Sequence, residues 1–450
     1  IQIMKIKTSA IVYGIRYIRR FGLRTLIIRI IEKKREKDSE YQSFYLETKA
    51  SLEQLEKQRM EVSHWNKKEK ISIVTPLYHT PAIFLRELIE SVLESSYENW
   101  QLCFADATQD GEENQIENIV KEYKEKAQDY ICKKYNWDDI TEKTLSLYEK
   151  SRICYKKLSQ NYGIAENTNQ ALAMAEGDYI AFLDHDDIIT PDALYEMALA
   201  AKCAKKTGKE ANMFYSDEDK VNENRTAFFE PHFKPDFNQD LLNSNNYITH
   251  FLMVSRELLD QVGGINKEYD GAQDYDFILR CTELADNVIH IPKVLYHWRV
   301  HERSTAAGAG SKDYAIDAGK CAIESHLQRM GENGKVVVTP YFGFYRIEYG
   351  INTENKTEDY VLFADQSLKP LNADWKQILY ADCSRKKIGV VGGKIYDRHH
   401  RIYEAAFFEK GDWTGAACGE NVFSGLREGY GGYMHRANIQ MDCDRVSEKC

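Results

Sequence analysis

The sequence predicts an α/β fold: a mostly parallel sheet flanked by helices, with a helical N-terminal arm before it and a smaller module after it. Three observations predict this. Short apolar runs, ISIVTPLY (71–78), WQLCFAD (100–106), ICYKKLS (153–159) and YIAFLD (179–184), alternate with helical patterns, the succession expected of β-α-β units with right-handed crossovers. Tyr78, Asp106 and Asp184 each close one of these runs, and ligands of open α/β sheets bind beyond the carboxyl ends of the strands. The fourth run leads into FLDHDD (182–187), three carboxylates whose mutual repulsion a divalent cation would relieve. A solvated acidic turn capping the next helix is the alternative.

The first 37 residues hold eleven Lys/Arg against two Asp/Glu, a balance of +9 in a chain whose total is −10, so the rest carries −19. Ile11, Val12, Ile15 and Ile18, then Leu23, Leu26, Ile27 and Ile30, recur at helical spacing with Arg16, Arg19, Arg20 and Arg24 between them. Such an arm suits an anionic membrane surface, where each basic residue contributes about 1 kcal/mol. Packing on the protein itself or in a homo-oligomer is its other use. Nucleic acid is excluded as a partner because the acidic body repels phosphates.

A charged helical linker (38–66) precedes the first strand, and IFLRELIESVLES (83–95) is an amphipathic helix. Residues 111–150 are highly charged and helical in pattern, IAENTNQALAMAEG (164–177) is a helix ending at Gly177, and Pro191 falls in the first turn of the helix after FLDHDD. MFYSDEDKV (213–221) holds a second acidic cluster, Asp217, Glu218 and Asp219, open to reading as a solvated turn or as part of a substrate site, and GAQDYDFILRCTELA (271–285) is a helix with Asp274 and Asp276 in its first turn. VIHIPKVLYHWRVH then runs into ERSTAAGAG, a small-residue stretch suited to a lid. The boundaries expected are an arm and linker at 1–66, a main domain at 67–338 and a second module at 339–450. Ten cysteines without a CxxC pair or a zinc spacing read as reduced thiols of a cytoplasmic protein, and no apolar run reaches membrane-spanning length.

ISIVTPLYHTP, CFADATQD, NYGIAENTNQAL, FLDHDDIITPDAL, YSDEDKV, FKPDFNQDLL, GAQDYDFILR and YHWRVHERSTA occur in this order between residue 71 and about 310. Together they resemble a bacterial family 2 glycosyltransferase of GT-A fold, in the subgroup that makes O-antigen, capsule and rhamnose-containing surface polysaccharides. The resemblance implies an inverting, metal-dependent enzyme moving a sugar from a nucleotide sugar, UDP- or dTDP-linked, to a lipid-linked or oligosaccharide acceptor. It would work as a peripheral protein at the inner face of the plasma membrane.

By the same resemblance Asp184, Asp186 and His301 hold manganese or magnesium against the donor diphosphate, with Asp186 the direct ligand. Pro76, Tyr78, Asp106, Asn161, Asp184 and Arg299 bind the donor: Asp106 accepts the base N3 hydrogen, Asn161 lies in the ribose-side loop, and Arg299, with Arg303, clamps the diphosphate. Asp274 is the catalytic base. Asp276 falls about 200° round the helix and serves structure.

Three departures stand out, one of them residues 111–150, which are longer than the family commonly shows there and read as an added helical hairpin beside the donor site. Ala105 replaces the first aspartate of the base turn, and residues 360–408 resemble the middle of a second glycosyltransferase domain whose metal motif has become Ala364, Asp365, Gln366. One carboxylate holds a divalent ion poorly, so this region reads as a degenerate module. The rival to the enzyme is a non-catalytic scaffold that kept the fold, against which the survival of the first module's carboxylates argues. A nucleotidyltransferase is disfavoured because no Gly-rich phosphate loop follows ISIVTPLY.

Overall fold

The computed structural model describes residue 23 and residues 40–109, 115–134, 152–206, 208, 211–301 and 312–351, and, with interruptions, 361–421. The basic arm, apart from Leu23, the stretch 302–311 with Arg303, and Asp365 lie outside the described residues. The chain divides into two compact units, one of residues 37–237 and 247–311, the other including 238–246 and 312–450.

In the first unit two linker helices, α1 (Glu40–Thr48) and α2 (Leu52–Ser63), precede β1 (Ile71–Leu77). Ser51 and Gln54 cap the start of α2 reciprocally. Helix α3 (Ala82–Leu93), β2 (Trp100–Asp106), α4 (Ile116–Lys134), β3 (Ile153–Lys157), α5 (Ile164–Leu172) and β4 (Tyr179–Phe182) follow. Both faces of β1 and β2 are covered, which is why their sequences run apolar rather than alternating. All four strands pair in parallel, Ile71 with Trp100 and with Tyr179, and Leu102 with Ile153.

Beyond β4 the sheet changes character. Strands β5 (Ile188–Ile189), β6 (Met213–Asn222), β7 (Phe228–His232), β8 (Leu252–Ser255) and β9 (Val288–Val300) complete it in the order β3-β2-β1-β4-β8-β6-β9-β5, with β7 on β6. β8 runs antiparallel to both β4 and β6, while β9 runs parallel to β6. Helices α6 (Ala193–Lys206), α8 (Arg256–Val262) and α9 (Gln273–Leu284) belong to this unit.

Two expected boundaries shift. Ile188 and Ile189 pair with Tyr296 and His297 of β9, so the helix opens at Ala193 and Pro191 lies ahead of it. Helix α5 stops at Leu172, and Gly177 answers another need: a Cβ there would stand 2.6 Å from the backbone nitrogen of Ser72. Only glycine lets the chain enter β4 so close to β1.

The second unit contains α7 (Gln239–Ser244), α10 (Lys312–Met330), the hairpin of β10 (Gly334–Val338) with β11 (Tyr345–Tyr349), and α11 (Trp375–Cys383). Just past α11, Arg385 grips Asp240 of α7 with two nitrogens, at 2.8 and 2.5 Å, and lies over the Tyr349 ring at 3.9 Å. A bidentate, half-shielded pair of this kind fixes orientation as well as distance.

Candidate functional site

The acidic turn lies where β4 ends. Asp184 is half exposed, with 52% of its side chain accessible, and its carbonyl accepts the Asp187 amide at 3.2 Å to close the turn. Asp187 is fully buried, and burial, then the charges of Asp186 and Asp184, push its carboxyl well above the usual range. The Tyr296 hydroxyl at 2.5 Å and the Arg299 amide at 2.7 Å work against that rise without cancelling it. Asp186 lies between them in exposure and faces His301 Nε2 at 2.8 Å. Thr80, after β1, meets the His185 ring at 3.1 Å.

Arg299 supports this turn from beneath. Its side chain is fully buried; it pairs with Glu87 at 2.6 Å, donates to the carbonyls of Asp186 at 2.6 Å and Glu223 at 2.8 Å, and covers the Phe84 ring at 4.4 Å. Expected as a clamp on the diphosphate, it instead has its described contacts with the protein's own loop, because Glu87 on α3 draws the guanidinium inward.

Asp274 is the second residue of α9, half buried, at the helix end where free amides favour a negative charge. Burial raises its pKa, and Asp184 adds to the rise, while His250 and the amides of Tyr275 and Asp274 oppose it. Asp276 is buried and pairs with Arg280 at 2.8 Å, which also holds the carbonyls of Val262 and Gly264. That is the structural part its helical phase implied.

At the donor end, Pro76 lies near the end of β1, and Tyr78 just beyond is 43% exposed. Asn161 accepts the Gly163 amide at 3.0 Å and the Asn167 side chain at 2.8 Å, which shapes the loop entering α5, where Gly163 takes φ +96°. Asp106 has no exposed surface. It accepts from the Thr108 amide at 2.9 Å and the Tyr155 hydroxyl at 2.8 Å, with Lys157 at 3.3 Å. Expected to accept from the base, it is engaged with its neighbours in this state, and Lys157 is the part-exposed member of the pair.

The second acidic cluster is a buried stretch of β6, not a solvated turn. Asp217 meets His290 at 2.8 Å and the Lys234 amide at 2.8 Å; Glu218 meets His232 at 3.2 Å and Thr249 at 3.1 Å; Asp219 meets His297 and Tyr41 at 2.5 and 2.7 Å. Burial raises Glu218, but Lys234, His232 and His250 outweigh it and hold the carboxyl at about 2.

Three residues that sequence reasoning passed over belong to this architecture: His250, Lys234 and Glu87. The oxygen atoms of Asp184 and Asp187 and a ring nitrogen of His250 lie within 4.8 Å of one another. His250 sits in an apolar context, THFLMV, 63 or more residues from either aspartate, and nothing local marks it. Among the described residues, no helix is long and apolar enough to cross a membrane.

Residues 72–263 match the family model described as Glycosyl transferase family 2. The chain is 37% identical over 279 residues to an uncharacterized protein of Sinorhizobium fredii, covering 61% of this chain and 27% of that protein. It is 33% identical over 307 residues to the O-antigen biosynthesis protein RfbC of Myxococcus xanthus, covering 68% of this chain and 22% of the relative. The chain thus spans about a quarter of the length of these curated relatives. Among solved structures, S. aureus TarS 1-349 in complex with UDP-GlcNAc is 17% identical, with a TM-score of 0.42, over 57% of this chain and 66% of that one. The acidic turn, the parallel strands that carry it and the antiparallel strand beside it lie within a domain of mixed α/β fold whose residues 72–263 are a Glycosyl transferase family 2 domain.

Proposed function

We propose that this chain transfers a sugar, with inversion, from a UDP- or dTDP-linked donor to a lipid-linked or growing glycan in bacterial surface polysaccharide synthesis. One observation carries the reading: at the end of β4, inside the stretch that matches family 2, oxygens of Asp184 and Asp187 and a ring nitrogen of His250 lie within 4.8 Å of one another. The similarity to an O-antigen biosynthesis protein supports the pathway class.

In this reading the transferase module expected at 67–338 gives up α10 and β10 to the second unit, and residues 339–450 carry no second active site. Asp274 accepts the proton of the acceptor hydroxyl as that oxygen attacks the anomeric carbon from the face opposite the departing nucleoside diphosphate. One bond forms, one breaks, and the proton stays on Asp274. The carboxylate's raised pKa makes it a stronger proton acceptor than an exposed aspartate. Asp184 and Asp186, with His301 at 2.8 Å from Asp186, would hold a manganese or magnesium ion in this reading, and the cluster of Asp184, Asp187 and His250 within 4.8 Å supports a cation at this turn. Such an ion would neutralise the diphosphate as it leaves. Pro76, Tyr78 and Asn161 serve the donor side, Asp106 reaches the base only by giving up its bonds to Thr108 and Tyr155, and Arg299 acts from below by fixing the turn.

The basic arm brings the site to membrane-borne acceptors at the cytoplasmic face. Deleting residues 1–37 should release the protein from anionic liposomes while leaving donor hydrolysis unchanged. The function itself is tested by thermal shift and turnover of the full chain against a panel of nucleotide sugars with manganese. Stabilisation by one donor class and loss of turnover in excess chelator are expected; full turnover in chelator would refute the metal-dependent mechanism.

A further inference from the structure

We propose that His250 is a further residue of the transfer site, supplying a nitrogen ligand on the Asp184 side of the cation, and that a buried Lys234–Glu218 pair exists to aim it there. The inference rests on the reading of the acidic turn as the donor site.

The ring is placed for this. His250 Nε2 stands 3.9 Å from Asp184 Oδ2, and a ring nitrogen of His250 and one oxygen from each of Asp184 and Asp187 lie within 4.8 Å of one another, close enough for one cation to meet them. Stacking on Tyr296, at 4.7 Å and 17° between planes, fixes the ring orientation. His232, His290, His297 and His301 each spend a ring nitrogen on a carboxylate at hydrogen-bond distance. His250 faces carboxylates too, but among the described residues its ring has no such bond.

The backbone beneath it is held to an unusual degree. Lys234 has no exposed side-chain surface, and its ammonium donates to the carbonyl of Ile248 at 2.7 Å and to the carbonyl of His250. Glu218, 3.6 Å from that ammonium, accepts the Thr249 hydroxyl. Three consecutive residues are therefore gripped from one buried ion pair. Thr249 sits at φ +33°, in the left-handed region that a β-branched residue avoids. Strained backbone next to a motif of this kind is maintained only where the surroundings over-determine it. Here the surroundings are Lys234 and Glu218, and the consequence of the strain is the direction of the next side chain.

The test uses Mn2+ as the probe, with UDP, on the full chain. Pulsed electron paramagnetic resonance should show modulation from directly bound nitrogen that His250→Ala and His301→Ala each diminish. Manganese affinity should fall on the order of tenfold in His250→Ala. Lys234→Met should weaken manganese binding as well, whereas a purely structural lysine would lower Tm and leave affinity alone. If Lys234→Met does not fold, Thr249→Val makes the same cut more gently and should weaken manganese binding severalfold. Unchanged modulation and affinity in His250→Ala, with binding lost in Asp184→Ala, would overturn this inference and leave the donor site standing. Unchanged manganese binding in both Asp184→Ala and Asp186→Ala would instead remove the donor-site reading on which it rests.

Discussion

Two acidic triplets occupy one sheet, at the end of β4 and in the middle of β6, with β8 between them. In composition they are near twins, Asp184, Asp186, Asp187 against Asp217, Glu218, Asp219. Their surroundings differ. Every carboxylate of the β6 triplet meets a histidine at hydrogen-bond distance, and Lys234 lies behind Glu218. In the β4 triplet Asp186 has His301, Asp184 is half open to solvent, and Asp187 is buried with its charge disfavoured. An acidic cluster announces a ligand only where the protein has left the charge unbalanced. Where it has supplied the partners, the same residues are scaffolding.

The comparison predicts that changes around the open triplet alter chemistry and changes around the closed one alter stability, with Lys234 and Glu218, which hold the backbone of residues 248–250, doing both. The largest effect should come from Asp274→Asn, which keeps shape and removes the proton acceptor. Its kcat should fall on the order of 10²- to 10⁴-fold with the donor KM nearly unchanged, measured by steady-state transfer. A comparable loss from Asp219→Asn would break the distinction.

Asp186→Ala should cost on the order of 10²- to 10³-fold in kcat, the usual range for losing one group that stabilises developing charge. Its Tm should hold or rise, since removing Asp186 relieves repulsion on buried Asp187. A clear drop in Tm would mean that the open triplet is structural after all.

Much of this was legible in the sequence, and the parts that were not share a cause. Strands β1 and β2 and helix α9 fall within two residues of the expected ranges because apolar runs and helical periodicity are local signals. The antiparallel placement of β8 is a tertiary matter that no local pattern encodes. For the DED cluster a buried strand was not foreseen, since three acids in a row look solvated. The neutralising His232, Lys234, His290 and His297 enter from 14 to 78 positions along the chain. Arg299 was read as a clamp for the same reason: Glu87, which draws it inward, lies more than 200 residues away.

Within the closed triplet, Lys234→Met should destabilise the fold by about 3–5 kcal/mol, the range for orphaning one member of a buried ion pair. Glu218 gives the matching pH dependence. Its folded pKa, held at about 2, lies below its ordinary 4.5, so the stability it adds is complete above the higher value and is lost as pH falls toward the lower. That stretch is worth on the order of 3 kcal/mol. In Glu218→Gln the difference from wild type should therefore shrink on acidification through this window, as followed by denaturant unfolding at each pH. A difference that is constant with pH would show that Glu218 is not ionised in the fold.

The smallest effect is expected from Asp219→Asn, at the far side of the same strand. Asp219 receives the hydroxyl of Tyr41 at 2.7 Å and faces His297 at 2.5 Å, while Tyr45, one turn along α1, reaches the other nitrogen of that imidazole at 2.8 Å. The aspartate thus ties the linker helix α1 to β6 and β9 and touches nothing in the acidic turn. An amide oxygen can still accept from Tyr41, so the loss is the charge-assisted part of the bonding, about 1–3 kcal/mol. Chemical unfolding should register that loss while kcat/KM for transfer stays within about twofold of wild type. If transfer falls in step with stability, α1 is coupled to the site through His297, and the closed triplet is then part of the catalytic apparatus that the comparison assigned to the open one alone.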